Sequence, residues 1–485
     1  MSDFDTEPYE MVIQALLHTD WLIMHKPDEL EESEIAPRVV ALRMILTEDD
    51  TLAIEPIGAR MEFIEWLTQV YPHVQDEALL REFSWIVAIL TSGSQDIVAR
   101  FMQANFFDGF AKQLEAAHED STLEYMVWAL GNVAADSPEC RDFVLNSFIA
   151  EKVIKTVLDL FPTLKSSTQT VFWWFLRNCL GGNPRPALAP TTQITQVLIE
   201  AVSAFSVVSM RRAFPQASWS ISVEPGSEQD RVEIASESLV EVWWGLGHVS
   251  NNDFHAKVML TRADFVKALF RQLNQSLTPQ RSGLLTPMLR VLGNLMSSSD
   301  PAAMFAPEYN CFEILFTVLG NPRLKGLHRE SLWTLSNILS DYHGLQHVPD
   351  HIPELKKVLQ TFVNHRDRAI LKEACWVAAN TLTSTLPDST KDEVVEILKH
   401  APKRGKAMLE EVARSCSELV PFLPEILSED PAASQHAEDE VEDEAEEGEE
   451  DEDEDWNEAW NGAWDEDWDQ CEDAEMPDDF IPGVF

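Results

Sequence analysis

Positive charge is what this 485-residue sequence has least of. It holds 36 Lys and Arg against 83 Asp and Glu, a net charge of −47, and none of the basic residues falls between Glu429 and Phe485. That last stretch carries 27 acidic residues, which leaves −20 for residues 1–428. Proteins that neutralise nucleic-acid phosphates need clustered Lys and Arg, so nucleic acid is excluded as the default partner and basic partners are favoured. Long apolar runs are missing as well. None approaches the length of a bilayer-spanning helix, and the N-terminus, MSDFDTEPYE, begins acidic where a secretory leader begins basic. These absences point to a soluble chain of the cytoplasm and nucleus with no membrane partner.

Cysteine is sparse and unpatterned. Cys140, Cys179, Cys311, Cys375, Cys416 and Cys471 show neither C-x-x-C nor Cys/His ligand spacing, so no disulfide framework, metal site or cofactor is expected. P-loop, G-x-S-x-G and H-E-x-x-H motifs are absent and the 13 His are scattered, which argues against an enzyme. Strand-type alternation is scarce from 36 to 428.

What is present is a repeat. An aromatic or basic residue, three mostly small or apolar residues and then, usually, Asn recur as WIVAI (Trp85), WALGN (Trp128), WFLRN (Trp174), WGLGH (Trp244), RVLGN (Arg290), WTLSN (Trp333) and WVAAN (Trp376), at intervals of 43, 46, 70, 46, 43 and 43. A period near 43 belongs to two- or three-helix armadillo or HEAT units. The interval of 70 reads as one unit carrying an insertion of roughly 25 residues near 205–237, where Pro215, Pro225 and Gly226 punctuate the chain. Pro is absent around Trp128 and apolar residues recur there at helical spacing, with Asp120 and Ser121 as candidate caps and Glu124 placed for a capping box. The expected fold is all-α, an armadillo-repeat right-handed superhelical solenoid over residues 36–428 with a concave face. An acidic segment (1–35) precedes it and a disordered acidic tail (429–485) follows.

At 100° per residue, Trp128, Gly131 and Asn132 share one side of their helix, whereas Met126, Ala129, Leu130 and Val133 form the core stripe. Outward Trp/Asn pairs have a chemical use. Asn amides hydrogen-bond the backbone of an extended peptide, Trp rings form slots for Lys or Arg stems, and neighbouring carboxylates select the charge. Glu330 and Glu373 each precede a Trp by three residues and so share its face. The ladder predicts a groove for extended basic peptides.

The copies WALGNVAADSPECRDFVL, WFLRNCLGGNPRP, RVLGNLMSSSD, ESLWTLSN and KEACWVAAN resemble, in order, the third, fourth, sixth, seventh and eighth armadillo repeats of importin alpha. That family is the adaptor for nuclear import of proteins bearing basic localisation signals (NLS). The resemblance spans roughly residues 75–400 and includes the family's Arg-for-Trp exception at Arg290. It implies a major peptide site at Trp85, Gly93, Trp128, Asn132, Asp136, Trp174 and Asn178, with Asp136 and the Gly93 carbonyl holding the key lysine. The implied minor site comprises Arg290, Asn294, Asp300, Glu330, Trp333, Asn337, Glu373, Trp376 and Asn380, and Glu241, Trp244 and His248 are auxiliary candidates.

Several departures carry their own expectations. Ile89 and His248 stand where the family has polar clamps, and Arg177 puts a cation beside the major site, so the minor site is expected to supply an unusually large share of affinity. The Arg/Lys-rich segment by which the family binds importin beta is not visible in residues 1–45, which hold only Lys26, Arg38 and Arg43. Importin beta is therefore an open partner, while residues around 385–428 correspond to the family's contact with its nuclear export receptor. In the tail, Trp456, Trp460, Trp464 and Trp468 follow an i, i+4 series and read as a linear partner motif. The rival to an import adaptor is an armadillo scaffold or acidic chaperone for histone-like or ribosomal proteins.

Overall fold

The computed structural model describes residues 8–17 and 32–428, apart from 49, 115–116, 118, 204–205, 213–218, 221, 228, 231–233 and 299. Helices of 4 to 17 residues and short 3₁₀ turns make up its regular structure, with no β-strand among the described residues. None of these helices is long and apolar enough to cross a membrane. Two compact units divide between Gly245 and Leu246. The Trp456–Trp468 series lies outside the described residues.

Within the first unit the layer containing Trp128 shows how sequence makes a repeat. Gln95–Gln103 and Phe106–Leu114 precede the long helix Asp120–Asp136, and the next layer repeats the order as Pro138–Asn146, Ile149–Leu160 and Ser166–Leu180. This is the three-helix armadillo unit. Ser137 breaks the chain at the end of the long helix by taking an extended conformation, and its hydroxyl accepts from the Cys140 N–H at 3.2 Å while Pro138 fills the first helical position, where no N–H is needed. Asn105 and Phe148, each between the first and second helices of a layer, take φ of 55° and 61°. Asn is suited to that left-handed corner; Phe148 is not, and it stands exposed.

The long helices stack in sequence order: Glu32–Glu48 on Glu77–Thr91, then Asp120–Asp136, then Ser166–Leu180. Their buried stripes follow the helical period, with Met126, Ala129, Leu130 and Val133 fully covered and each large apolar side chain contributing about 1.5–3 kcal/mol. The expected capping box does not form. Asp120 is itself the first helical residue, and its carboxylate accepts from the Lys165 N–H at 2.9 Å, while Glu124 accepts from Ser167 and Thr168 at 3.0 and 3.1 Å. These acids tie one layer to the next.

Pro8–Leu17 covers the first layer. Ile13 and Leu16 are buried, Glu10 pairs with Arg60, and Arg38 donates to the Ala15 carbonyl at 3.3 Å. In the long interval, the chain after Ser203 is pinned to the second helix of the preceding layer. Buried Arg211 donates to the carbonyls of Leu158 and Asp159, its guanidinium lies 5.0 Å from the Trp219 ring, and the Asp159 carboxylate accepts the Ser220 N–H.

The second unit repeats the plan with long helices Ser282–Met296, His328–Ser340, Arg368–Thr383 and Lys403–Ser415, each packed on the next.

Candidate functional site

In most layers the outward motif position is half-buried and its neighbours are buried; Trp85 is the exception, with only 9% of its surface exposed. Trp128, Trp174 and Trp244 in the first unit, and Trp333 and Trp376 in the second, have this partial exposure, whereas Trp173 and Trp243, one residue away, are fully covered. A helix turns by 100° per residue, so adjacent Trp residues face different environments.

The Asn residues are bound to the preceding layer. Asn132 donates to the Ala88 carbonyl at 2.9 Å, Asn178 to Gly131 at 3.2 Å, Asn294 to Gly247 at 3.2 Å, Asn337 to Gly293 at 3.1 Å and Asn380 to Ser336 at 2.9 Å. Each acceptor is the fourth residue of the previous motif. At least one N–H of each Asn NH₂ is thus committed to fastening layer to layer, so these amides have fewer donors to offer a peptide than their two N–H groups suggest. Asn294 is buried outright. Ile89 has no amide to make such a bond, and His248 is half-buried.

The acceptor residue is small for a second reason. A Cβ on Gly131 would lie 2.0 Å from the Trp174 ring, and one on Gly293 would lie 2.1 Å from the Trp333 ring. Each indole thus lies across the backbone of the preceding long helix. Gly131, which the helical wheel places outward, is buried for that reason.

Three Trp faces are already occupied by guanidinium groups of the same chain. Arg43 lies 5.3 Å from the Trp85 ring centre and pairs with Glu82 at 2.8 Å; Arg177 lies 6.0 Å from Trp244 and pairs with Glu241 at 3.1 Å. In the second unit Arg290 lies 5.6 Å from Trp333 and grips Glu330 through two hydrogen bonds, Nε to Oε2 at 2.8 Å and Nη2 to Oε1. In each set the carboxylate precedes the Trp by three residues. Arg290, Glu330 and Glu241, predicted as peptide contacts, are thus committed to internal pairs, and Trp85 has a cation on its face. Arg177 is neutralised, which removes the expected repulsion beside Asn178. Arg43 was the residue sequence reasoning missed. It stands 42 residues before Trp85, one residue short of the repeat period.

Two carboxylates on these faces have no Lys or Arg partner among the described residues. Asp136 ends the Trp128 helix half-buried, and burial pushes its carboxyl above the usual range against hydrogen bonds from Cys140 and Ser137. Its backbone carbonyl accepts from Gln95 at 3.1 Å, which brings the Gly93 turn alongside it. That turn is tight: a Cβ on Gly93 would come within 2.8 Å of Ile97 and Ile54, and Glu55 holds the Ser94 N–H and hydroxyl at 2.8 Å. In the second unit Glu373 lies one turn before Trp376, and burial raises its carboxyl to about 7 despite the nearby charge of Arg329. Asp300 is exposed. Of the acids on which the expected strength of the minor site drew, Glu330 is neutralised and Glu373 makes no ion pair.

No family model matches the chain. It is 26% identical over 301 residues to importin subunit alpha-1b of Oryza sativa subsp. japonica, covering 60% of this chain and 48% of the relative. Its similarity is to importin alpha subunits. Importin subunit alpha-2 of Arabidopsis thaliana is 29% identical over 202 residues, 41% of this chain and 35% of that one. Importin subunit alpha-9 of the same plant is 24% identical over 336 residues, 67% and 58%. The chain spans about half the length of the importin alpha subunits it matches. Among solved structures, the crystal structure of an engineered protein superposes with a TM-score of 0.52 at 16% identity, over 86% of this chain and 98% of that one, a likeness of fold alone.

Proposed function

We propose that this chain is a nuclear-import adaptor that binds basic localisation signals as extended peptides along its Trp faces, passing between cytoplasm and nucleus with its cargo. The observation that carries the reading is that in each unit a half-buried carboxylate without an ion-pair partner stands on the same helix as a half-exposed Trp: Asp136 with Trp128, and Glu373 with Trp376. A carboxylate held away from water without a cation is costly, and an arriving lysine or arginine relieves that cost while its stem packs on the indole. The Asn carbonyl oxygens along the same faces offer acceptors for peptide N–H groups at the spacing of the layers. The internal Arg groups set the limits of each site by filling the Trp85, Trp244 and Trp333 faces from within.

The test is a titration of the full chain with a fluorescent lysine-rich signal peptide, beside the same peptide with its lysines changed to alanine. Asp136→Lys with Trp128→Ala reports on the first site, and Glu373→Lys with Trp376→Ala on the second. Loss of at least tenfold affinity from either pair supports the reading. Unchanged affinity in both pairs, or equal binding of the alanine peptide, overturns it. Adding importin beta to the same titration asks whether a carrier is recruited.

A further inference from the structure

In a chain this acidic, the second unit carries a concentrated basic rim. The turns that lead into its last three long helices, residues 321–329, 363–369 and 400–406, together hold eight Lys and Arg against one acid. That acid, Asp367, is used in capping, where its carboxylate accepts from the N–H groups of Ala369 and Ile370 at 2.8 and 3.1 Å. Arg323, Lys325, Arg366, Arg368, Lys403 and Arg404 are exposed. Arg368 pairs with Glu411 at 2.9 Å and Arg404 donates to the Asn364 carbonyl. The side chains of Arg323, Lys325, Arg366 and Lys403 have no partner among the described residues.

The three turns form one surface. The His328 ring lies 5.0 Å from Phe362, and Phe362 lies 6.0 Å from His365, which joins the first turn to the second. The Arg404–Asn364 hydrogen bond joins the second to the third, where a Cβ on Gly405 would lie 2.6 Å from the Val363 carbonyl oxygen. The helices His328–Ser340, Arg368–Thr383 and Lys403–Ser415 all begin here, so their positive dipole ends add to the cations.

We propose that the acidic segment Glu438–Asp453 of the same chain docks on this rim. Thirteen of its 16 residues are Asp or Glu, matched to a surface of the opposite sign. The attachment is short. Residues 403–415 form a helix about 20 Å long, Leu423–Ile426 packs against it, and the ten residues from 428 to 438 reach up to about 35 Å when extended. A segment tethered this closely is present at an effective concentration on the order of millimolar, ahead of any free polyanion that the remaining negative charge would repel. The inference is independent of peptide binding along the Trp faces.

Carbodiimide coupling of the full chain at low ionic strength, followed by peptide mapping, tests it by joining lysine amines to carboxylates in contact. Links from Lys325, Lys403 and Lys406 to residues 438–453 are expected in the monomer, with loss at about 0.5 M salt, where screening is within a few ångströms. Arg323→Glu with Arg366→Glu and Lys403→Glu removes the links and raises the low-salt radius of gyration to the high-salt value. Circular dichroism checks that this variant folds, and the salt series on the unaltered chain decides the matter if it does not. Links spread equally to exposed Lys112 and Lys257, links found only in cross-linked dimers, or capture of an oligonucleotide with no intramolecular link would each overturn the proposal.

Discussion

The Asn337 amide reaches back 3.1 Å to the carbonyl of Gly293, the same residue whose missing side chain lets the Trp333 ring lie across the preceding helix. One motif position thus receives both the hydrogen bond and the indole of the next layer. The repeat W-x-x-[small]-Asn is a joint between layers as well as a surface.

Removing the amide breaks the joint and spares the core. Asn337→Ala and Asn380→Ala are each expected to cost about 1 kcal/mol, the usual worth of one such bond, read as a lower urea midpoint for the second unit. No change in either variant would mean that water replaces the amide without loss.

Filling the space under the indole acts differently. Gly293→Ala sets a methyl group where the Trp333 ring lies, and overpacking of this kind costs about 1–3 kcal/mol. The ring must move outward, so intrinsic Trp emission shifts to longer wavelength. Gly247→Ala is the comparison, since its nearest contact is the Arg290 stem at 3.8 Å; there no spectral shift is expected.

The Arg290–Glu330 pair is covered on both sides, with 13% and 11% of the two side chains exposed. Arg290→Ala leaves a buried carboxylate alone and is expected to destabilise by about 3–5 kcal/mol, whereas Arg290→Met with Glu330→Leu recovers most of that loss. Equal thermal stabilities for the single and double variants would contradict the account.

Glu373 makes the chain's stability depend on pH. Its carboxyl ordinarily titrates near 4.5 and is raised to about 7 in the fold by burial, so the folded chain keeps a proton that the unfolded chain has released. Stability from this group is full below pH 4.5 and is lost as pH rises through 7. Glu373→Gln should therefore gain on the order of 1–3 kcal/mol at pH 8 and nothing at pH 4. A bound cation favours the ionised form, so affinity for a basic peptide should rise from pH 6 to pH 8, and Glu373→Gln should flatten that rise. A flat profile in the unaltered chain would place the cation elsewhere.

Periodicity alone determined the fold class and the face on which Trp128 and Asn132 stand, because side-chain direction on a helix follows from position. Composition alone separated the acidic tail from the body. Tertiary packing decided which polar groups are available. The sequence lists Glu330 and Glu373 as equivalents three residues before a Trp, yet Arg290 forms an ion pair with the first, while the second has Arg329 and Lys372 only as nearby charges. The difference depends on what the preceding layer presents across the gap, and that partner lies about 40 residues away along the chain. The Asn ladder is decided the same way. Its amides are legible as hydrogen-bonding groups, but only the stacking of one long helix on the next commits a donor of each to the layer before it.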